Sequence, residues 1–108
     1  MNEIQNLLAT AIQEKKCVRA VYQGHTRYLS PHGLGYKGAK VNLMAYQYAG
    51  DTSKGPVKQG SGHAENWRCM DISQLQSVEI IEGAEWHTSD NHSRPSTCID
   101  QFIAQVSH

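Results

Sequence analysis

The strongest constraint on the fold is a change in the period of the apolar residues within the first 22 positions. The apolar residues at helical spacing are Ile4, Leu7, Leu8, Ala11 and Ile12. They form one stripe, which predicts an amphipathic helix over residues 3–16. From Cys17 the period becomes two, so Val18, Ala20 and Tyr22 share one face of a predicted strand. A chain that begins this way is an α+β domain rather than a helical bundle.

Further short strands are predicted along the chain, separated by glycine-rich and polar turns. The predicted strands span residues 17–22, 26–30, 40–48, 67–72 and 78–81, and the second is expected to end at Pro31. Residues 49–64 predict a long loop and residues 83–95 an irregular polar segment. The order predicts a single domain over 1–108, with a small barrel or strongly bent antiparallel sheet of about five strands over 17–82.

The last part of the chain predicts a short helix. Thr97 and Asp100 have the spacing of a capping box. The apolar stripe of this helix would be Cys98, Ile99, Phe102, Ile103 and Val106. The fold class is therefore mainly β with flanking helices at both ends.

The charges are balanced overall and uneven along the chain. Ten Lys and Arg face ten Asp and Glu, so binding to nucleic acid through bulk charge is disfavoured. Residues 15–68 hold nine bases and two acids, whereas residues 69–108 hold six acids and one base. Either the basic part folds onto one face that attracts phosphate or carboxylate, or the strands interleave and the two parts neutralise each other.

The cysteines and the apolar runs bear on the compartment. Cys17, Cys69 and Cys98 are odd in number, widely spaced and without a C-x-x-C pair, so we expect no disulfide framework and a reducing cytoplasm. No apolar run approaches the length that spans a bilayer, and the first residues do not resemble a signal peptide. We therefore expect a cytoplasmic protein without membrane insertion.

Neighbouring residues argue against a dinucleotide-binding, metal-binding or catalytic interpretation of the motifs in the sequence. Residues 33–38 match G-x-G-x-x-G, but strand-like residues follow, so turn glycines between antiparallel strands explain the match better than a dinucleotide site. The six histidines lack metal-site spacing, and no activated nucleophile or carboxylate pair is recognisable. We expect no metal, no cofactor and no enzymatic activity.

A set of aromatic and basic residues falls on strands or strand ends. Its members are Tyr22, Arg27, Tyr28, Tyr36, Tyr46, Tyr48, Trp67 and Arg68. Rings beside guanidinium groups stack bases and grip phosphate or carboxylate, which is typical of sites for nucleotides or single strands. The alternative is that the aromatic residues fill the core, although a buried arginine then needs a partner.

The order of these features resembles the WYL domain of bacterial regulators, over roughly residues 4–82. The resemblance rests on the helix, Tyr22, Arg27, Pro31-His32, the strand 41–46 and the segment from Trp67 to Leu75. The family's Trp-Tyr-Leu falls on Val41-Asn42-Leu43, where only the leucine agrees. The resemblance implies a small SH3-like or Sm-like barrel that acts as a ligand sensor.

Carried over by position, the ligand-binding residues would be Tyr22, Arg27, His32, Tyr46 and Arg68. The first hypothesis is a non-enzymatic regulatory module that binds a small anion, a nucleotide or a short single-stranded nucleic acid. The alternative is a protein-interaction module that forms a homodimer, or docks on a regulatory partner, through an open barrel edge or the face of the C-terminal helix. Salt-sensitive binding of an oligonucleotide would favour the first.

Overall fold

The computed structural model describes residues 3–52, 55–57, 66–87 and 98–106. Within these ranges it contains one α-helix, α1 (Glu3–Glu14), a 3-10 turn at Ile72–Gln74 and six strands. The strands are β1 (Cys17–Tyr22), β2 (His25–Lys37), β3 (Lys40–Gly50), β4 (Trp67–Asp71), β5 (Leu75–Ile81) and β6 (Gln101–Gln105). The mostly β architecture and the N-terminal helix are as predicted, although the helix ends at Glu14.

All six strands belong to one antiparallel sheet. The path runs β4-β3-β2-β1-β5, and β6 pairs with the second half of β2. β1 pairs with residues 25–29 of β2 and β6 with residues 33–36, so the two share the same edge of that long strand. Within the described residues β4 and β5 do not pair with each other, so the sheet is open and the predicted barrel closure is not confirmed.

Helix α1 packs on one face of the sheet, here called the helix face. Leu8, Ala11 and Ile12 of the helix are fully buried against strand residues. The strand residues of this core include Val18, Ala20, Leu29, Leu34, Leu43, Ala45 and Met70. Alternation along each strand then assigns the remaining residues to the helix face or to the opposite face.

The predicted C-terminal helix is wrong, because residues 101–105 form strand β6. The missing side chains of Gly33 and Gly35 let β6 lie close to β2: a Cβ on Gly35 would lie 2.9 Å from Cα of Phe102. Ile99 and Val106 are buried in the chain's own interior rather than on an exposed helix face. The interaction surface expected on that helix therefore does not exist in the predicted form.

Strand β2 does not end at Pro31, as predicted, but continues to Lys37. The register against β3 shifts between Pro31 and Gly33, which places a β-bulge at His32. A bulge tolerates proline inside a strand, since the absent N–H is not needed for regular pairing there. The G-x-G-x-x-G residues lie in β2 and in the turn to β3, where Gly38 has a positive φ of 61°.

The expectation that the cysteines form no disulfide is also wrong. Cys69 of β4 is bonded to Cys98, which is 29 positions further along the sequence, and the two Cα atoms are 5.8 Å apart. Cys17 is free and buried. The expectation of a reducing cytoplasm was based on the absence of a disulfide. Because disulfides persist in oxidising compartments, the cysteines no longer support that expectation.

The basic and acidic parts of the chain meet in space. Arg19 pairs with Glu79 across β1 and β5, and Lys16 lies 3.0 Å from Glu82. Lys37 lies 3.1 Å from Asp100. For these pairs, interleaving neutralises the charge, as the second of the two alternatives predicted. Among the described residues, no helix is long and apolar enough to cross a bilayer.

Candidate functional site

The sheet divides the five predicted ligand-binding residues between its two faces. Tyr22 alternates with Val18 and Ala20 on the helix face, and Arg27 lies opposite Ala20 in the β1–β2 ladder. Arg68 lies opposite Ala45, which also belongs to the helix-face core. The remaining two, His32 and Tyr46, contact Trp67 on the opposite face. The sheet therefore brings Tyr22 and Arg27 together and separates them from His32 and Tyr46.

Arg27 is a buried cation, with only 4% of its surface exposed. Its guanidinium carbon lies over the ring of Tyr22, 5.1 Å from the centroid, and Nη1 donates a hydrogen bond to Oε1 of Gln47 at 3.4 Å. Within the described part of the chain, its buried Nε–H has no hydrogen-bond acceptor and no carboxylate forms a salt bridge with it. Burial lowers the pKa of Arg27, while Tyr22 and Asp51 act to raise it.

Gln47 holds the chain that follows β3 next to Arg27. It is fully buried, and its Nε2 donates to the carbonyl oxygens of Ala49 at 3.2 Å and Asp51 at 3.0 Å. The backbone N–H of Asp51 in turn donates to the carbonyl of Thr26. The side chain of Gln47 thus contacts the guanidinium of Arg27 and also holds the first residues after β3 in place. Gln47 was missed by the sequence analysis, since nothing in the local pattern distinguishes it from a solvent-facing strand residue.

The two arginines do not lie side by side. Arg27 is opposite Gly50 and Arg68 is opposite Ala45, so their backbones are separated by about 16 Å along β3. Arg68 is half-buried, and its Nη1 donates to the carbonyl oxygen of Trp67 at 3.0 Å. The described arrangement therefore has one buried cation at Arg27 rather than a continuous basic groove.

His32 and Tyr46 lie inside an aromatic cluster on the opposite face. Both are fully buried. The edge of Trp67 meets His32 at 4.6 Å and Tyr46 at 5.5 Å between centroids, and Trp86 lies 4.1 Å from His32. Enclosed rings of this kind contribute to packing and offer no surface on which an incoming base can stack.

Residues 84–87 cover part of this cluster. His87 donates its backbone N–H to Oγ of Ser30 at 2.8 Å, and its carbonyl lies 3.1 Å from Nε2 of His32. Its ring stacks on Tyr48 at 4.4 Å. The sequence analysis assigned this segment to an irregular region, and the signal that marks it as packed is the tryptophan at position 86 among polar residues.

The free cysteine is a neighbour of the same cluster. The thiol of Cys17 lies 3.3 Å from Oγ of Ser30 and donates to the carbonyl of Glu85. Burial raises the pKa of Cys17, and it raises the pKa of Tyr48 as well. A thiol that resists ionisation is a poor nucleophile, so this position is suited to packing.

Comparison with known proteins finds no relative of this chain. No family model matches the chain, and no curated protein and no solved structure is significantly similar to it. The resemblance to WYL domains stays a prediction. In the described ranges, no three His, Cys, Asp or Glu side chains are grouped so that they could hold a metal ion.

Proposed function

We propose that this protein is a non-enzymatic binding module, and that its ligand carries an anionic group that pairs with Arg27. The observation that carries the proposal is the buried guanidinium whose Nε–H lacks an acceptor within the described residues. A buried charge without a counter-ion costs several kcal/mol, and an anion that binds there recovers part of that cost. A regulatory or sensor role, as the resemblance to WYL domains implies, is compatible with such a site.

The arrangement favours a small anion over a nucleotide strand. Tyr22 is half-buried beside Arg27 and supplies one ring. Tyr46 and His32, the other predicted contacts, are fully buried on the opposite face. A single-stranded nucleic acid binds through several stacked bases and a continuous cationic groove, and the described residues bring together one ring and one cation.

Isothermal titration with a panel of anions tests this proposal. The panel contains acetate, benzoate, inorganic phosphate, a nucleoside monophosphate and a short single-stranded oligonucleotide, each at low and moderate salt. We expect saturable binding of at least one small anion to the wild type and loss of that binding in Arg27→Gln.

The matched control is Arg19→Gln, which removes an exposed cation from the neighbouring strand and should leave the affinity unchanged. Circular dichroism of both variants checks that each keeps its fold. Unchanged affinity in a folded Arg27→Gln, or no response of the wild type to any anion, would overturn the proposal. If the protein instead forms a salt-resistant dimer without binding any anion, the interaction-module hypothesis replaces it.

A further inference from the structure

We infer that Cys69 is a site of thiol–disulfide exchange, at which an external thiol attacks Sγ of Cys69 and Cys98 is released as the leaving thiol. Two features of the molecule support this: the unequal exposure of the two bonded cysteines and the contacts that hold Cys98 in place. Cys69 alternates with Met70 of the helix-face core, so the site lies on the opposite face of the sheet from Arg27. It is independent of the proposed anion site.

The two bonded cysteines differ in their exposure to solvent. Cys69 is exposed on β4, a strand that pairs with β3 along one edge and, among the described residues, with no strand along the other. Cys98 is buried, with 4% of its surface exposed, and it packs with Met44 and Ile99. The rate of exchange depends on access to the attacked sulfur. An external thiol therefore reaches the disulfide from the side of Cys69.

Attack at Cys69 gives a mixed disulfide and one free thiol. The incoming thiolate forms a bond to Sγ of Cys69 as the bond to Cys98 breaks, and the electron pair of the broken bond passes to Sγ of Cys98, which takes a proton from water. In the reverse step, Cys98 gives up this proton, attacks Sγ of Cys69 and expels the external thiolate. If the reagent is a dithiol, its second thiol attacks the mixed disulfide instead. The reagent then becomes a disulfide, and its two electrons reduce the protein.

Cys98 is held beside Cys69 by contacts other than the disulfide. Its carbonyl oxygen accepts a hydrogen bond from Nδ2 of Asn42 at 2.9 Å, and the same nitrogen lies 3.7 Å from Sγ of Cys69. The backbone N–H of Asp100 donates to a carbonyl of β2 at 2.7 Å, and the buried side chain of Ile99 lies over the glycines of that strand. Cleavage of the S–S bond leaves these contacts in place. The released thiol thus stays near Cys69, and the reverse step is intramolecular.

Trapping of the mixed disulfide tests the inference. The oxidised full chain is incubated with glutathione, quenched with N-ethylmaleimide in denaturant and cleaved after glutamate, which separates the two cysteines at Glu85. Attack at Cys69 puts glutathione on Cys69 and N-ethylmaleimide on Cys98, and we expect this product to exceed the reverse one at least about tenfold. A second arm uses a thioredoxin that keeps only its attacking cysteine. The faster arm distinguishes a small thiol from a protein dithiol as the source.

Two single variants provide a matched pair. Cys98→Ser leaves the thiol of Cys69, Cys69→Ser leaves that of Cys98, and both keep the buried Cys17. With an aromatic disulfide reagent under native conditions, we expect Cys98→Ser to react at least about tenfold faster than Cys69→Ser. The glutathione adduct of Cys98→Ser should also persist, because no second thiol resolves it. Circular dichroism checks that each variant folds, and the wild-type trapping decides the question if one does not.

Several results would overturn the inference. An adduct found mainly on Cys98, or equally on both cysteines, would show that exposure does not select the attacked sulfur. A folded Cys69→Ser variant that reacts as fast as Cys98→Ser would show the same. If neither glutathione nor the thioredoxin forms a mixed disulfide, Cys69 is not open to exchange. None of these measurements involves anion binding at Arg27, so the proposed function stands or falls separately.

Discussion

The amide oxygen of Gln47 lies 3.4 Å from Nη1 of Arg27, so a fully buried amide is the one hydrogen-bonding side chain that meets this cation among the described residues. An amide satisfies a donor without neutralising its charge. Gln47 thus supplies a hydrogen-bond acceptor to a buried arginine near the start of β2 and leaves its charge in place.

The same residue gives a stability prediction. Gln47→Ala removes the donor that satisfies two carbonyl oxygens and the acceptor for Arg27, and it leaves a cavity. We expect the free energy of unfolding to fall by about 2–3 kcal/mol. Urea denaturation measures the change, with the exposed Gln74→Ala as a control that should be near neutral. A Gln47→Ala protein as stable as the wild type would show that these hydrogen bonds contribute nothing net.

The disulfide predicts a dependence of stability on reductant. Cys69–Cys98 closes a loop of roughly 30 residues, which corresponds to about 3–4 kcal/mol in the chain-entropy account. We expect the urea midpoint of the wild type to drop when dithiothreitol is added. The double variant Cys69→Ser, Cys98→Ser should already have the lower midpoint and should not respond. Equal midpoints with and without reductant in the wild type would contradict this.

The two glycines under β6 predict unequal effects of the same substitution. In Gly35→Ala the new Cβ would meet backbone atoms of residues 101 and 102 and lie 2.5 Å from Cγ2 of Ile99, so β6 must move. We expect a loss of at least about 2 kcal/mol. In Gly33→Ala the nearest atom is Cε1 of Phe102, at the end of a side chain that is 38% exposed and free to rotate away.

We therefore expect Gly33→Ala to cost less than about 1 kcal/mol. Denaturant unfolding of the two variants provides the comparison, and protection of the β6 amides from hydrogen exchange reports on the strand itself. A Gly33→Ala effect as large as that of Gly35→Ala would mean that β6 does not lie where the structure places it.

Stability should fall at alkaline pH because of Cys17. Burial raises the pKa of its thiol in the folded protein above the ordinary value of about 8.5. Above that ordinary value the unfolded chain loses the proton and the folded chain keeps it. The free energy of unfolding then falls by up to about 1.4 kcal/mol per pH unit for this one group, until the folded thiol also ionises.

Cys17→Ala provides the control for this prediction. In the variant the decline should begin nearer pH 10, where tyrosine ionises in the unfolded chain, because Tyr48 also has a raised pKa in the folded protein. Chemical denaturation at a series of pH values under non-reducing conditions measures both curves. Identical curves for the variant and the wild type would exclude Cys17 as the group responsible.

The spacing of apolar residues along the sequence was enough to predict the elements that bury one apolar face. The helix from residue 3 and the strands that begin at Cys17, Lys40 and Trp67 each have an unambiguous period of apolar residues. The same reasoning failed at the C-terminus, where the apolar residues from 98 to 106 fit a helical stripe. An edge of β2 with no side chains at Gly33 and Gly35 makes the extended conformation more favourable there.

In the candidate site, too, some features follow from the local sequence and others depend on the tertiary structure. The sequence by itself determined that Tyr22 and Arg27 flank one tight hairpin, because the turn at Gln23 and Gly24 joins adjacent antiparallel strands. Only the tertiary structure decided that His32 and Tyr46 lie on the other face, that Arg68 is distant from Arg27, and that Cys69 meets Cys98. Each of these depends on the register between strands that are distant in the chain. A shift of one residue in that register moves a side chain to the other face of the sheet, and no local pattern specifies it.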